Sequence, residues 1–157
     1  MRIEEGEALR RLSAQVHGVL VTLHPERGPD PQPVVFAVSG AEDDDDNGSG
    51  PGGGGARHVG VPIDSVKPKR STRLRREDNL EADPRGSLLV EHWEVEDWSR
   101  LWWVRAQLHH VPDPSAALVD DLVDRLALAV PQYADKPFHR VLVCRITAVT
   151  GWAASEG

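Results

Sequence analysis

The stretch "VKPKRSTRLRR" gathers six cations, Lys67, Lys69, Arg70, Arg73, Arg75 and Arg76, with no carboxylate among them. The whole chain has 18 lysines and arginines in 157 residues and a formal charge of −7. Such a cluster in an acidic chain fits a local anion site built from charge-assisted hydrogen bonds. It lies between a strand end and a helix start, where Ser71 and Thr72 add hydroxyl groups. Helix amino termini present free backbone N–H groups and positive potential to an anion. Cations at a helix start are otherwise unfavourable by roughly a few tenths of a kcal/mol each, so a bound phosphate or carboxylate would relieve the conflict. Lys67, Lys69, Arg70 and Arg73 therefore read as a phosphate-binding corner. Arg75 and Arg76, inside the helix pattern, read as a solvated helix face.

A second dense stretch is "EDWSRLWWVRAQL", which places Trp98, Trp102 and Trp103 within six residues. On a strand Trp102 and Trp103 point to opposite faces, so one of them leaves the core or covers a partner. Other patterns carry less. "DDDDNG" matches the first half of a calcium loop, but Gly54 stands where the bidentate Glu is required. Gly48, Gly50 and Gly53 fit a dinucleotide glycine pattern only because the tract is glycine-rich. His109 and His110 are adjacent and would face opposite sides of a strand, which argues against a metal site. Cys144 alternates with Leu142 and Ile146 and reads as a small buried hydrophobe. No catalytic triad or carboxylate pair stands out, so no catalytic residue and no metal ligand is assigned.

These residues need elements to hold them. A short amphipathic helix is expected over Glu4–Gln15, with Ala8, Leu9 and Leu12 on one face. Strands follow in "GVLVTLH" and from Val34 to Val38, separated by a Pro/Gly-rich connection, and then in "HVGVPI". Between the last two, residues 41–57 form an acidic, glycine-rich segment with no side chain able to build a core, expected as an exposed loop at a hairpin tip. A helix is expected within "STRLRREDNLEADPR", stopped before Pro84. Three further strands read in "SLLVEHW", "RLWWVRAQL" and "HRVLVCRITAVTGW". Ser115 caps a helix with apolar residues at 118, 119, 122, 123 and 126, and Pro131 ends it. Six strands with so few helices suit a mainly β fold, an antiparallel small barrel with helices packed outside. The length fits one domain over 1–157, with 41–57 inserted in it. A pI near 5.4 argues against a nucleic-acid partner, and the absence of a long apolar run argues against a membrane. A charged amino terminus and a single cysteine point to the cytoplasm.

Three blocks, "PVVFAV", "VPIDSVKPKRSTRLRREDNLEADPRGSLLVEHWEVEDWSRLWWVRA" and "PQYADKPFHRVLVCRITAVTGW", carry a resemblance over nearly the whole chain. It is similar to the actinobacterial split-barrel proteins of the pyridoxamine-phosphate-oxidase-like superfamily, in the class of coenzyme F-420 (deazaflavin)-dependent oxidoreductases. Relatives have a short turn where this chain has the acidic segment. The resemblance implies a six-stranded split barrel and a homodimer with the cofactor in a groove between subunits. It implies phosphate contacts from Lys67, Lys69, Arg70, Ser71, Thr72 and Arg73. Ring contacts are implied from Pro33, Val34 and Val35 and from Val61, Pro62 and Ile63, with Trp98 and Trp102 of the partner subunit completing the site. The implied activity is hydride transfer between reduced F-420 and an organic substrate. Flavin mononucleotide (FMN) as the cofactor, or an F-420 carrier without turnover, are the alternatives.

Overall fold

The computed structural model describes residues 1–40, 56–64 and 74–155. Its elements run α1 (Glu5–Ser13), β1 (His17–His24), β2 (Gly28–Val35), β3 (Ala37–Val38), β4 (His58–Asp64), α2 (Arg75–Ala82), β5 (Arg85–His92), β6 (Trp102–His110), α3 (Ala116–Ala129) and β7 (Phe138–Ala153). The fold is mainly β. Among the described residues seven strands form one antiparallel sheet in the order β2-β1-β5-β6-β7-β4-β3, curled into a half-barrel consistent with a split barrel.

The expected count of six strands becomes seven because the second strand is bent. At Phe36, 1% exposed, the chain leaves β1 and crosses to β4 at the opposite edge of the sheet. Its amide donates to Val16 O at 3.0 Å, and its ring fills the interior at the crossing. The strand also begins earlier than expected. Pro29, Pro31 and Pro33 lie within β2, not in a connection, and pair with Leu23, Val21 and Val19. Proline cannot donate to a ladder, but β2 is an edge strand and the three rings recur every second residue. All three missing donors can therefore fall on the open side. The preceding turn is closed by His24 Nδ1, which accepts from the amides of Glu26 and Arg27 at 3.1 Å each. Gly28 at φ 80° supplies the left-handed residue that the turn needs.

The barrel interior is lined by alternate residues such as Leu20, Leu88, Val104 and Ala106, each no more than 2% exposed. Helix α1 adds Ala8 and Leu12 to this core, as its spacing predicts. Helix α3 lies outside, where Leu122 and Leu126 form a second cluster with Ala37, Tyr133 and Val143. Ser115 Oγ accepts from the Leu118 amide at 3.2 Å, the expected N-cap. Helix α2 ends before Pro84, also as expected. No helix among the described residues is long and apolar enough to cross a membrane.

Candidate functional site

Lys67, Lys69, Arg70, Ser71, Thr72 and Arg73 lie outside the described residues, and so does the "DDDDNG" pattern. The two flanks of the cation-rich segment are described. At the end of β4, Asp64 is 4% exposed and accepts a 2.6 Å hydrogen bond from the Tyr133 hydroxyl. Burial and the neighbouring carboxylate together raise the Tyr133 phenol well above its ordinary range, so it stays a proton donor.

The other flank is the first turn of α2. Glu77 Oε2 accepts from the Leu74 amide at 2.8 Å, closing the helix start. The same carboxylate receives Arg140 of β7 bidentately, Nε at 2.8 Å and Nη2 at 2.9 Å. Asn79, 1% exposed, donates to Thr22 Oγ1 at 2.9 Å and to Asp30 Oδ2 at 3.1 Å, fixing α2 to β1 and β2. Arg75 is exposed, as a solvated face requires. Arg76 is not. It turns inward, half-buried, and donates from Nη1 to Gln32 Oε1 at 3.1 Å. Burial pulls its guanidinium below the ordinary arginine value, opposed by the charges of Glu77 and Asp64. The corner is thus a braced polar frame with a partly desolvated cation at a helix amino end. It can hold an anion, and Arg76 is the residue that sequence spacing missed.

The strand residues divide sharply. Val34, Val61, Pro62 and Ile63 are buried, three of them (Val34, Val61, Ile63) in the barrel core. Pro33 is exposed and Val35 half-buried, both on the outer face. That face also carries Val19 and Leu89 beside Pro33, and Leu89 is 39% exposed.

Trp98 and Trp102 are elsewhere. Trp102 begins β6, whereas His110 at the other end of that strand lies beside α2, its amide donating to Pro84 O. Eight residues of strand span about 26 Å, so one protomer does not bring Trp102 to the α2 corner. The alternation along β6 also decides between the two adjacent indoles. Trp102 belongs to the inward set with Val104 and Ala106, at the mouth of the barrel near α1. Trp103 faces outward beside Trp152, with the Arg105 guanidinium 5.8 Å from its ring. Trp98 is 64% exposed in the turn before β6 and donates from Nε1 to Val95 O at 3.1 Å. Between that turn, α1 and the start of β6 lies a cavity of about 430 Å³ walled by Trp102, Leu101, Arg11 and Arg100. Cys144, 3% exposed, has its thiol pushed up to about 12 by burial, which agrees with a structural and unreactive role.

No protein-family model matches the sequence, and no curated protein does. Solved structures share the fold. A conserved hypothetical protein from Mycobacterium tuberculosis is similar at a TM-score of 0.61 and 16% identity, over 97% of this chain and 86% of the other. An FAD-binding protein from Mesorhizobium loti is similar at 0.57 and 16%, over 96% and 93%. A heme storage protein from Vibrio cholerae is similar at 0.55 and 16%, over 100% and 93%. At such identities the likeness is one of fold, and this fold holds chemically different groups in different proteins.

Proposed function

We propose that this chain is a cytoplasmic, homodimeric oxidoreductase that binds coenzyme F-420 and transfers a hydride between it and an organic substrate. One observation carries the reading. The cation-rich segment from Lys67 to Arg73 joins the end of β4 to the amino end of α2, on a barrel of the same fold as an FAD-binding protein. The described residues fit such a group. The α2 amino terminus and the inward Arg76 favour an anion, and the exposed Pro33 with half-buried Val35 offers apolar surface to a flat ring. Val34, Val61, Pro62 and Ile63 would meet that ring only through their backbone, since their side chains are buried.

When bound, the deazaflavin supplies the hydride chemistry. The protein's task is then to bind, orient and exclude water. Lys67, Lys69, Arg70 and Arg73 hold the phosphate with Ser71 and Thr72. Glu77 and Arg140 keep the helix start in place. A second protomer covers the outer face, where Val19, Leu89, Pro33 and Trp103 form an apolar surface that a single barrel leaves open. Its exposed Trp98 and outward Trp103 then supply the far wall of the groove, while Trp102 faces the barrel interior. FMN is the second reading, favoured by the fold shared with an FAD-binding protein, and a carrier without turnover is the variant in which no substrate is reduced. The test is mass analysis of what the purified dimer retains after incubation with equal F-420 and FMN. Retained F-420 supports the first reading, retained FMN the second, and retention of neither overturns both.

A further inference from the structure

The cavity at the α1 end of the barrel has a chemistry of its own. Among the described residues its wall offers the guanidinium groups of Arg11 and Arg100, the Gln15 amide, the hydroxyls of Ser99 and Ser155, and no carboxylate, in a chain of formal charge −7. Trp102 and Leu101 supply apolar surface among these donors. The geometry is layered. The Arg11 guanidinium carbon sits 5.4 Å from the Trp102 ring centroid, and the His92 ring lies nearly parallel to the indole, 16° between planes at 6.2 Å. The two carboxylates that hold the cations are not part of the cavity wall. Glu7 takes Arg11 through Nε at 2.7 Å, and Glu94 takes Arg100 at 3.3 Å together with His92 at 3.0 Å. Each guanidinium is braced on one side and keeps further N–H groups for a ligand, since one guanidinium carries five donors.

The site is built by tertiary structure, not by one loop. Trp102 pairs with His92 of β5 and Ala153 of β7, and Leu101 O accepts from the Ala154 amide. Ser155 Oγ donates to Ser99 O at 2.7 Å, tying the end of β7 to the turn before β6. A volume of about 430 Å³ is enough to hold a small organic molecule.

We propose that this cavity binds a planar organic carboxylate, with the ring beside Trp102 and Leu101 and the carboxylate on Arg11 and Arg100. The proposal concerns a single protomer and stands whether or not a flavin binds at the α2 corner. An aromatic face flanked by cations favours a flat π-system over an aliphatic body, and a paired set of guanidinium donors matches the two oxygens of a carboxylate.

Calorimetric titration of the full chain with 2-naphthoate, 2-naphthamide and cyclohexanecarboxylate tests it. The naphthoate binds, and the neutral amide and the non-aromatic acid each bind at least about tenfold more weakly. Arg100→Gln, at a side chain 64% exposed and so without a folding role, weakens naphthoate by roughly tenfold. Trp102→Phe keeps binding and Trp102→Leu loses it. Because Trp102 also touches the core, Arg100→Gln decides the matter if the Leu variant fails to fold. Absence of naphthoate binding at millimolar concentration, equal binding by Arg100→Gln, or equal binding of the amide overturns the proposal. So does displacement of naphthoate by F-420 or FMN, which would place the cavity within the cofactor's own site.

Discussion

Glu77 serves two elements at once, and the consequences of removing it can be stated separately. Its carboxylate closes the first turn of α2 and also pairs bidentately with Arg140 of β7. Glu77→Ala therefore removes a helix-start hydrogen bond and a charge-assisted pair. A loss of about 2–4 kcal/mol in chemical denaturation is expected, and Arg140→Ala should cost less because its side chain is 43% exposed. Cys144 makes the opposite kind of residue-scale statement. Its thiol is raised to about 12 in the folded state, so on alkalinisation the unfolded chain gives up this proton first. The stabilising contribution is complete below the ordinary thiol value and is lost as pH climbs toward about 12. Between about pH 9 and about pH 11 Cys144→Ala should lose less stability than the parent chain, measured by urea midpoints. The burial of Cys144 was legible from its alternation with Leu142 and Ile146. The role of Arg76 was not, because its partner Gln32 lies 44 residues away and helix periodicity carries no information about which polar residue a neighbouring strand will offer.

At the scale of elements, periodicity located the three helices and most strands, and failed where the tertiary setting overrides local preference. Pro29, Pro31 and Pro33 look like a loop in isolation, but an edge position lets all three join β2. The bend at Phe36 is likewise a product of closure: one run of residues pairs with β1 and then with β4, so a single expected strand becomes two. Helix α3 reaches this sheet only because Gly60 of β4 has no side chain. A Cβ there would lie 2.9 Å from Leu122 Cδ1 and 3.1 Å from Leu122 Cβ, too close for the helix to remain where it is. Gly60→Ala should lower stability by about 1–3 kcal/mol. In a Leu122→Ala background the same Gly60→Ala change should cost less, and a strictly additive double variant would show that the two sites do not touch.

For the whole molecule, the proposed dimer rests on the outward face of the half-barrel. Trp103 beside Trp152, and Leu89 beside Val19 and Pro33, leave apolar surface on the outside of a chain whose interior is already filled. A twofold partner would cover it, and an interface of roughly 2,000 Å² or more should hold at micromolar concentration. Sedimentation of Trp103→Asp should show a monomer, while the parent chain sediments as a dimer. The sequence indicated that one of the two adjacent indoles must leave the core; the inward set of Val104 and Ala106 identifies Trp103 as that one. The most direct test of the central claim is titration of F-420 into the parent chain and into Lys69→Ala/Arg70→Ala, with folding of both checked by circular dichroism. The account predicts saturable binding by the parent chain, weakened in the folded double variant by about 1.5–3 kcal/mol for each charge-assisted hydrogen bond removed. Equal affinity in the two proteins would contradict it.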